Sequence, residues 1–259
     1  MIPNFENRFQ IESGKWIHEQ ADEYEVEARK ILGRLFSKWR PWPLFYHLRS
    51  GGHVAASHAH VGNPLRVRLD IDNFFGSISR NRVVRALKRV GFSYEEADDF
   101  ARKSTVPFNS GFVLPFGFVQ STALATLVLQ KSPLGAALKN MRDRDFTVTV
   151  YVDDIIISGD VDPSEMEKEV DKLFREARRS RFSFSSSKIA GPEPSIRAFN
   201  LILSPDLVSV AEDRFSEFSE EVDTEGDTPK VRAILGYVKT VNQKQYDYLA
   251  NLLTDAEGS

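Results

Sequence analysis

The stretch Val148–Ser158, reading Val-Thr-Val-Tyr-Val-Asp-Asp-Ile-Ile-Ile-Ser, constrains the fold more than any other part of the chain. β-Branched and aromatic residues fill it on both sides of two adjacent carboxylates, which predicts two buried strands with one polar break. A tight turn at that break makes a hairpin with both carboxylates at its tip. Two anions at the end of a buried hairpin are costly unless something cationic meets them. The competing reading is an ordinary surface turn, where Asp is common.

The 259 residues suffice for one large domain or two small ones with a real core. Absence of cysteine removes disulfides, thiolate metal sites and cysteine nucleophiles together. The segment Met1–Arg8 lacks a basic-then-apolar leader pattern, and no apolar run approaches the roughly 18 residues a membrane span needs. The expectation is a cytoplasmic protein without membrane association. Net charge is −3, but residues 211–227 hold eight acids against Arg214 alone. The remainder carries 33 basic and 29 acidic residues, a balance of +4, so local basic surfaces are compatible with the total.

Periodicity supplies the other elements. Apolar positions from Trp16 to Trp39 recur at helical spacing, and Pro41 and Pro43 end that helix. Residues 40–64 read as irregular; His53, His58 and His60 within them match no metal-ligand spacing. Leu65–Ile71 alternates as a strand ending on Asp70. Helices are predicted over 79–90 and, behind a Ser93/Glu96 capping box, to Lys103. Residues 104–118 read as a loop, followed by a helix that Pro133 kinks or restarts and that continues to about Met141. After the hairpin come a helix over 163–180 with a basic end, a hairpin of Ile196–Leu203 with Leu207–Val210, and an exposed or mobile acidic stretch. Thr228–Pro229 caps a helix to about Thr240, and a last helix spans about 243–253. This order predicts an α+β fold, helices packed on an antiparallel-containing sheet.

Asp70, Asp153 and Asp154 are three strand-associated acids. If their strands are neighbours, the carboxylates converge and form a site for a hard cation such as Mg²⁺. Two such ions about 3.5–4 Å apart can activate a hydroxyl and steady a leaving group in phosphoryl transfer.

With these residues in view, the chain resembles the prokaryotic reverse transcriptases, the retron, group II intron and phage-defence group. Leu69–Ile78 resembles the first palm motif, Leu114–Ser121 the Leu-Pro-Gln-Gly motif, and Tyr151–Asp154 the Tyr-x-Asp-Asp signature. Ser187–Lys188, Ala198–Leu201 and Ile234–Val238 occupy the places of the lysine motif, primer-grip hairpin and thumb helix. The match spans about 65 to 245, in order.

The resemblance implies a right-hand polymerase: residues 1–64 an N-terminal helix and short fingers, 65–210 a palm with inserted fingers helices at about 79–112, 211–259 an acidic connector and small helical thumb. It implies metal binding by Asp70, Asp153, Asp154 and the Ile71 carbonyl, with two Mg²⁺ or Mn²⁺ ions. Phe75 matches the steric gate that favours dNTPs, with a plain core aromatic as the alternative. Phe116, Gly117, Gln120 and Lys188 fall at nucleotide-binding positions, Lys188 being otherwise a surface lysine. Arg66, Arg68, Arg178, Arg179, Lys230 and Lys239 are candidate nucleic-acid contacts, or else solvated faces.

Phe116 stands where the family usually has Gln, replacing hydrogen bonding with stacking or bulk. Thr122 replaces a Pro, Asn200 replaces a common Gly, and retron markers are absent. These departures point to a diverged, defence-associated member. The implied partners are a template-primer with a noncoding RNA, dNTPs, and a partner protein or second copy. The rival readings are template-independent or protein-primed DNA synthesis on the same site, and a non-catalytic nucleic-acid-binding assembly subunit.

Overall fold

The computed structural model describes residues 4–11 and 14–257. The first three residues of the segment on which the leader expectation rests lie outside them. The central sheet is antiparallel throughout, in the order β6 (Phe146–Tyr151), β7 (Asp154–Gly159), β3 (Leu65–Asp70) and β8 (Ala190–Glu193). Strand β7 pairs in register with both neighbours, Val150 opposite Ile155 and Leu69 opposite Ile155. Side chains alternate across a strand, so the sheet has two unlike faces. Val67, Leu69, Val148, Val150, Ile155 and Ile157 share one face and belong to the main core. The other face carries Arg66, Arg68, Asp70, Asp154, Ile156, Ser158, Thr147 and Thr149.

Helices cover the apolar face: α3 (Arg80–Lys88), α4 (Tyr94–Lys103), α5 (Ser121–Gln130), α6 (Pro133–Arg142) and α7 (Pro163–Arg179). The capping box at Ser93/Glu96 forms as predicted. Of the two readings at Pro133, the helix restarts. Ser132 caps a new one, accepting from the Gly135 N–H at 3.1 Å, with Pro133 in its first turn.

The polar face is covered by α2 (Gly52–His58) and by a second, smaller core. That core joins β9 (Ile196–Ala198), β10 (Leu201–Leu203) and β11 (Val208–Val210) to α8 (Glu212–Glu225), α9 (Pro229–Val241) and α10 (Gln243–Glu257). Ile156 reaches it from the central sheet. An N-terminal hairpin, β1 (Phe5–Gln10) and β2 (Trp16–Gln20), precedes α1 (Asp22–Lys38).

Five expectations change. Residues 40–64, read as irregular, contain a 3-10 turn at Tyr46–Leu48 and helix α2, which begins at Gly52 just after the left-handed Gly51. The helix expected from Trp16 starts at Asp22, because Trp16–Gln20 pairs with β1 and Ile17 bridges Phe116. The loop at 104–118 contains a hairpin, β4 (Val106–Phe108) with β5 (Gly111–Val113). Ile196–Leu203 is two strands, since Phe199 and Asn200 turn the chain at φ 56° and 61°. The acidic stretch is helix α8, with Phe218 and Val222 buried at four-residue spacing.

Candidate active site

The pairing of β3 with β7 sets Asp70 directly opposite Asp154. Asp153 lies in the turn before β7, and its carbonyl accepts from the Ile71 N–H at 2.9 Å. All three acids therefore meet at one end of the sheet. The turn is strained, because Val152 has φ 59°, a left-handed conformation that a β-branched residue rarely adopts. Such strain costs about 1–3 kcal/mol and persists only where the surroundings impose it.

His47 supplies part of that imposition. Its Nδ1 accepts from the Val152 N–H at 2.9 Å, and its Nε2 meets Thr126 Oγ1 at 2.7 Å. The Thr126 hydroxyl proton goes to the Thr122 carbonyl at 2.7 Å, so His47 donates from Nε2. Burial lowers its pKa to about 4, which keeps Nδ1 free to accept.

Burial pushes the carboxyls of Asp153 and Asp154 upward. The negative charges of Asp154 and Asp70 add to the effect on Asp153, while Arg68 draws Asp154 back. Arg68 holds Asp154 Oδ1 at 2.7 and 2.8 Å, and Lys188 Nζ holds Asp70 Oδ2 at 2.9 Å. That bond raises the Lys188 pKa. Asp153 forms no ion pair among the described residues. The donor set is entirely oxygen and rich in negative charge, which suits a hard divalent cation. Among the described residues no three His, Cys, Asp or Glu side chains already stand as a metal cage. Two of these carboxylates are instead engaged by Arg68 and Lys188.

The other candidates separate clearly. Phe75 is 7% exposed and stands edge-on to Phe116 at 4.7 Å, while Phe74 packs on Phe182. Gly117 has φ 102°, and a Cβ there would meet the His18 carbonyl at 2.2 Å. Its immediate reason for being glycine is the N-terminal hairpin, which also donates the His18 N–H to the Phe116 carbonyl at 2.9 Å. Gln120 is fully buried and donates to Ser104 Oγ at 3.2 Å, so its amide faces the interior.

Neither the phosphate-contact nor the solvated-face reading fits Arg66. It is fully buried, donating to the carbonyls of Pro194, His60 and Ser204 at 2.7–2.8 Å. The reason is non-local: segments far along the chain close over that face. Arg178 is exposed and Arg179 pairs with Glu176. Lys230 is held by Glu225 at 2.8 Å, and Lys239 lies over the Tyr246 ring. The three histidines go separate ways: His53 to the Tyr237 hydroxyl, His58 to the Thr240 carbonyl, His60 to Ser158 and Thr149.

Three features of the site were not legible. His47 carries no periodic signal. Lys15, 5.0 Å from the Phe116 ring centroid, brings positive charge toward Asp153 from the N-terminal hairpin. Beside Asp154, a cavity of about 410 Å³ is walled by His53, Tyr151, Phe199, Arg197 and Arg68. Its rings touch at 5.4–5.8 Å, and Tyr237 of α9 joins through His53.

The family model described as reverse transcriptase (RNA-dependent DNA polymerase) matches residues 29–249. No curated protein matches the chain. Among solved structures it is similar to telomerase from Candida albicans in complex with a TWJ fragment of telomeric RNA, at TM-score 0.55 and 10% identity. That similarity covers 89% of this chain and 47% of the telomerase chain, so the present chain spans about half of that neighbour's length. At this identity the likeness is one of fold.

Proposed function

The chain belongs to the reverse transcriptase family, and from that premise we propose that it extends a 3′ hydroxyl with dNTPs at the Asp70–Asp153–Asp154 end of the sheet. The observation that carries this reading is the register pairing of Asp70 with Asp154 beside a strained turn that presents Asp153. The family consists of nucleotidyltransferases that use divalent metal ions. Two Mg²⁺ ions held by Asp70, Asp153, Asp154 and the Ile71 carbonyl would polarise the phosphoryl oxygens and make the attacking hydroxyl a better nucleophile. The 3′ hydroxyl gives its proton to solvent as its oxygen bonds to the α-phosphorus, the bond from that phosphorus to the oxygen bridging to the β-phosphate breaks, and pyrophosphate leaves.

Around that step the chain's own residues position and neutralise. Lys188 gives up Asp70 and places its ammonium by the triphosphate. Arg68 releases Asp154 and turns to phosphate. The Phe75–Phe116 pair forms the aromatic floor beneath the sugar and excludes a 2′-hydroxyl. Phe199 and Tyr151 seat the primer end in the cavity beside Asp154.

In domain terms, residues 1–64 and the helices of about 79–112 act as fingers, 65–210 as palm and 211–259 as thumb. The departures at Phe116, Thr122 and Asn200 support a diverged prokaryotic enzyme serving in anti-phage defence with a noncoding RNA. Phe116 also favours a second reading, template-independent or protein-primed synthesis, since a ring packed on Phe75 offers no hydrogen bonds to a templated nucleotide.

The test is dNTP incorporation by the purified protein with Mg²⁺, beside Asp153→Ala, with and without co-purified nucleic acid and with products sequenced. Incorporation that disappears in the variant supports the polymerase, and product sequence separates templated from untemplated synthesis. No incorporation even with RNA and operon partners restored overturns it in favour of an assembly subunit.

A further inference from the structure

Helices α3, α5 and α7 end around one small cleft of about 210 Å³. Their C-caps, Arg89, Lys131 and Ser180, line it, and the N-cap of α6, Ser132, opens on it. Six cations line this cleft and no acid does. Of the six, only Arg179 forms an ion pair among the described residues, with Glu176 at 2.8 Å. None of the carboxylate-end residues lines it.

A helix C-terminus attracts cations, each end carrying about half a negative charge. Three such ends and Glu176 still leave an excess of roughly three positive charges or more. The cost of that excess is visible on Arg82. The residue is 9% exposed, and its guanidinium lies 4.2 Å from the Phe182 ring centroid and donates to the carbonyls of Ser77, Ser180 and Arg181. Burial first, and then the neighbouring charges of Arg181 and Arg85, lower its pKa to about 10. Like charges are thus held together around a polar cleft on rigid helix ends, while Arg85, Arg89 and Lys131 keep donors facing solvent. Arginine forks suit phosphate oxygens.

We propose that the cleft formed by Arg82, Arg85, Arg89, Lys131, Arg179 and Arg181 docks the phosphodiester backbone of an RNA, at a place separate from the carboxylate end of the sheet. Choosing RNA as the polyanion rests on the RNA-dependent polymerase reading. Arg82 is the fixed floor, and the outer cations contact successive phosphates. Because Arg82 also holds the Ser77 carbonyl, docked RNA braces the loop that carries Phe74 and Phe75.

The test uses the full chain, a labelled RNA hairpin, no dNTPs and a salt titration. The triple variant R85E/R89E/K131E should weaken binding by at least about tenfold and flatten the salt dependence by two to three counterions. Unchanged affinity and slope overturn the proposal. So does displacement of RNA by polyglutamate at equal charge, which assigns the cleft to an acidic protein, or by millimolar inorganic phosphate, which makes it a simple anion site. Should the variant melt early, photo-crosslinking of 4-thiouridine RNA to the wild-type chain decides. Crosslinks within 80–89, 131 or 179–181 support docking, and crosslinks confined elsewhere overturn it. Incorporation by the wild-type chain is scored separately, so loss of the polymerase reading leaves its own mark.

Discussion

The polar face of the central sheet has two ends, and the same strand, β3, handles charge oppositely at each. At the Leu65 end, Arg66 is buried without an ion-paired carboxylate, and its two terminal nitrogens donate to three backbone carbonyls. His60 beside it bonds Ser158 Oγ at 2.7 Å and Thr149 Oγ1 at 2.8 Å, and Asn63 completes the network on Ser158 and Thr147. Backbone carbonyls of folded segments cannot swing away, so this end is closed. At the Asp70 end, the charges are met by the tips of Arg68 and Lys188, and the Lys188 side chain is 46% exposed. Long, exposed side chains exchange partners easily. One end is built to stay as it is, and the other to trade its counter-ions for substrate and metal.

Asp153→Asn is the sharpest test of the open end. dNTP incorporation should fall by at least about a thousandfold, some 4 kcal/mol of transition-state stabilisation. Its melting temperature at pH 7 should match or exceed wild type. The sign follows from the raised carboxyl pKa: the stability linked to that group is present below the unfolded carboxylate range and lost as pH rises through the folded value. A lower melting temperature would mean that the carboxylates hold the fold together, and the contrast between the ends would break.

At the closed end, Arg66→Met should destabilise the chain by about 3 kcal/mol, since buried carbonyls lose their donors. Urea unfolding measures it. Activity per folded molecule should survive, and a catalytic loss without a stability loss would reverse the assignment.

The histidines give the next effect. Burial, and then the Arg66 charge, lower the His60 pKa to about 3, and His47 sits at about 4. A histidine depressed in the folded state contributes stability above its unfolded pKa, lost as pH falls through the folded one. Between pH 6.5 and 5 each should forfeit about 2 kcal/mol. Melting curves across that range should be flatter for His60→Asn than for wild type.

The smallest expected change is in positioning at the open end. His47→Ala should lower kcat about tenfold with KM nearly unchanged, by freeing the Val152 turn, and His47→Gln should recover part of it. A fall in melting temperature with kcat intact would make His47 merely structural.

Much of the open end was readable because local patterns carried it. A run of apolar residues around two acids points to a buried hairpin, and an alternating strand ending in Asp70 offers the third acid. Arg66 was unreadable because alternation in Leu65–Leu69 says which face it shares but not what covers that face. The cover arrives from residues 194 and 204. Helix α8 was obscured by charge, since seven acids hide Phe215, Phe218 and Val222 at helical spacing. His47 acts through one hydrogen bond across 105 residues, a relation with no sequence signature.

The close fit between Gly117 and the His18 carbonyl has a bearing on how the chain is made. The N-terminal hairpin is synthesised before its seat, which lies about one hundred residues downstream. At 5–20 residues per second it waits roughly 5–20 seconds before Phe116 and Gly117 exist to receive it. During that interval Ile17 and His18 lack their later cover, on a two-stranded ribbon too small to be stable alone. The hairpin is thus left without its partner for about one hundred residues of synthesis, a stage at which a nascent-chain chaperone would find apolar surface to hold.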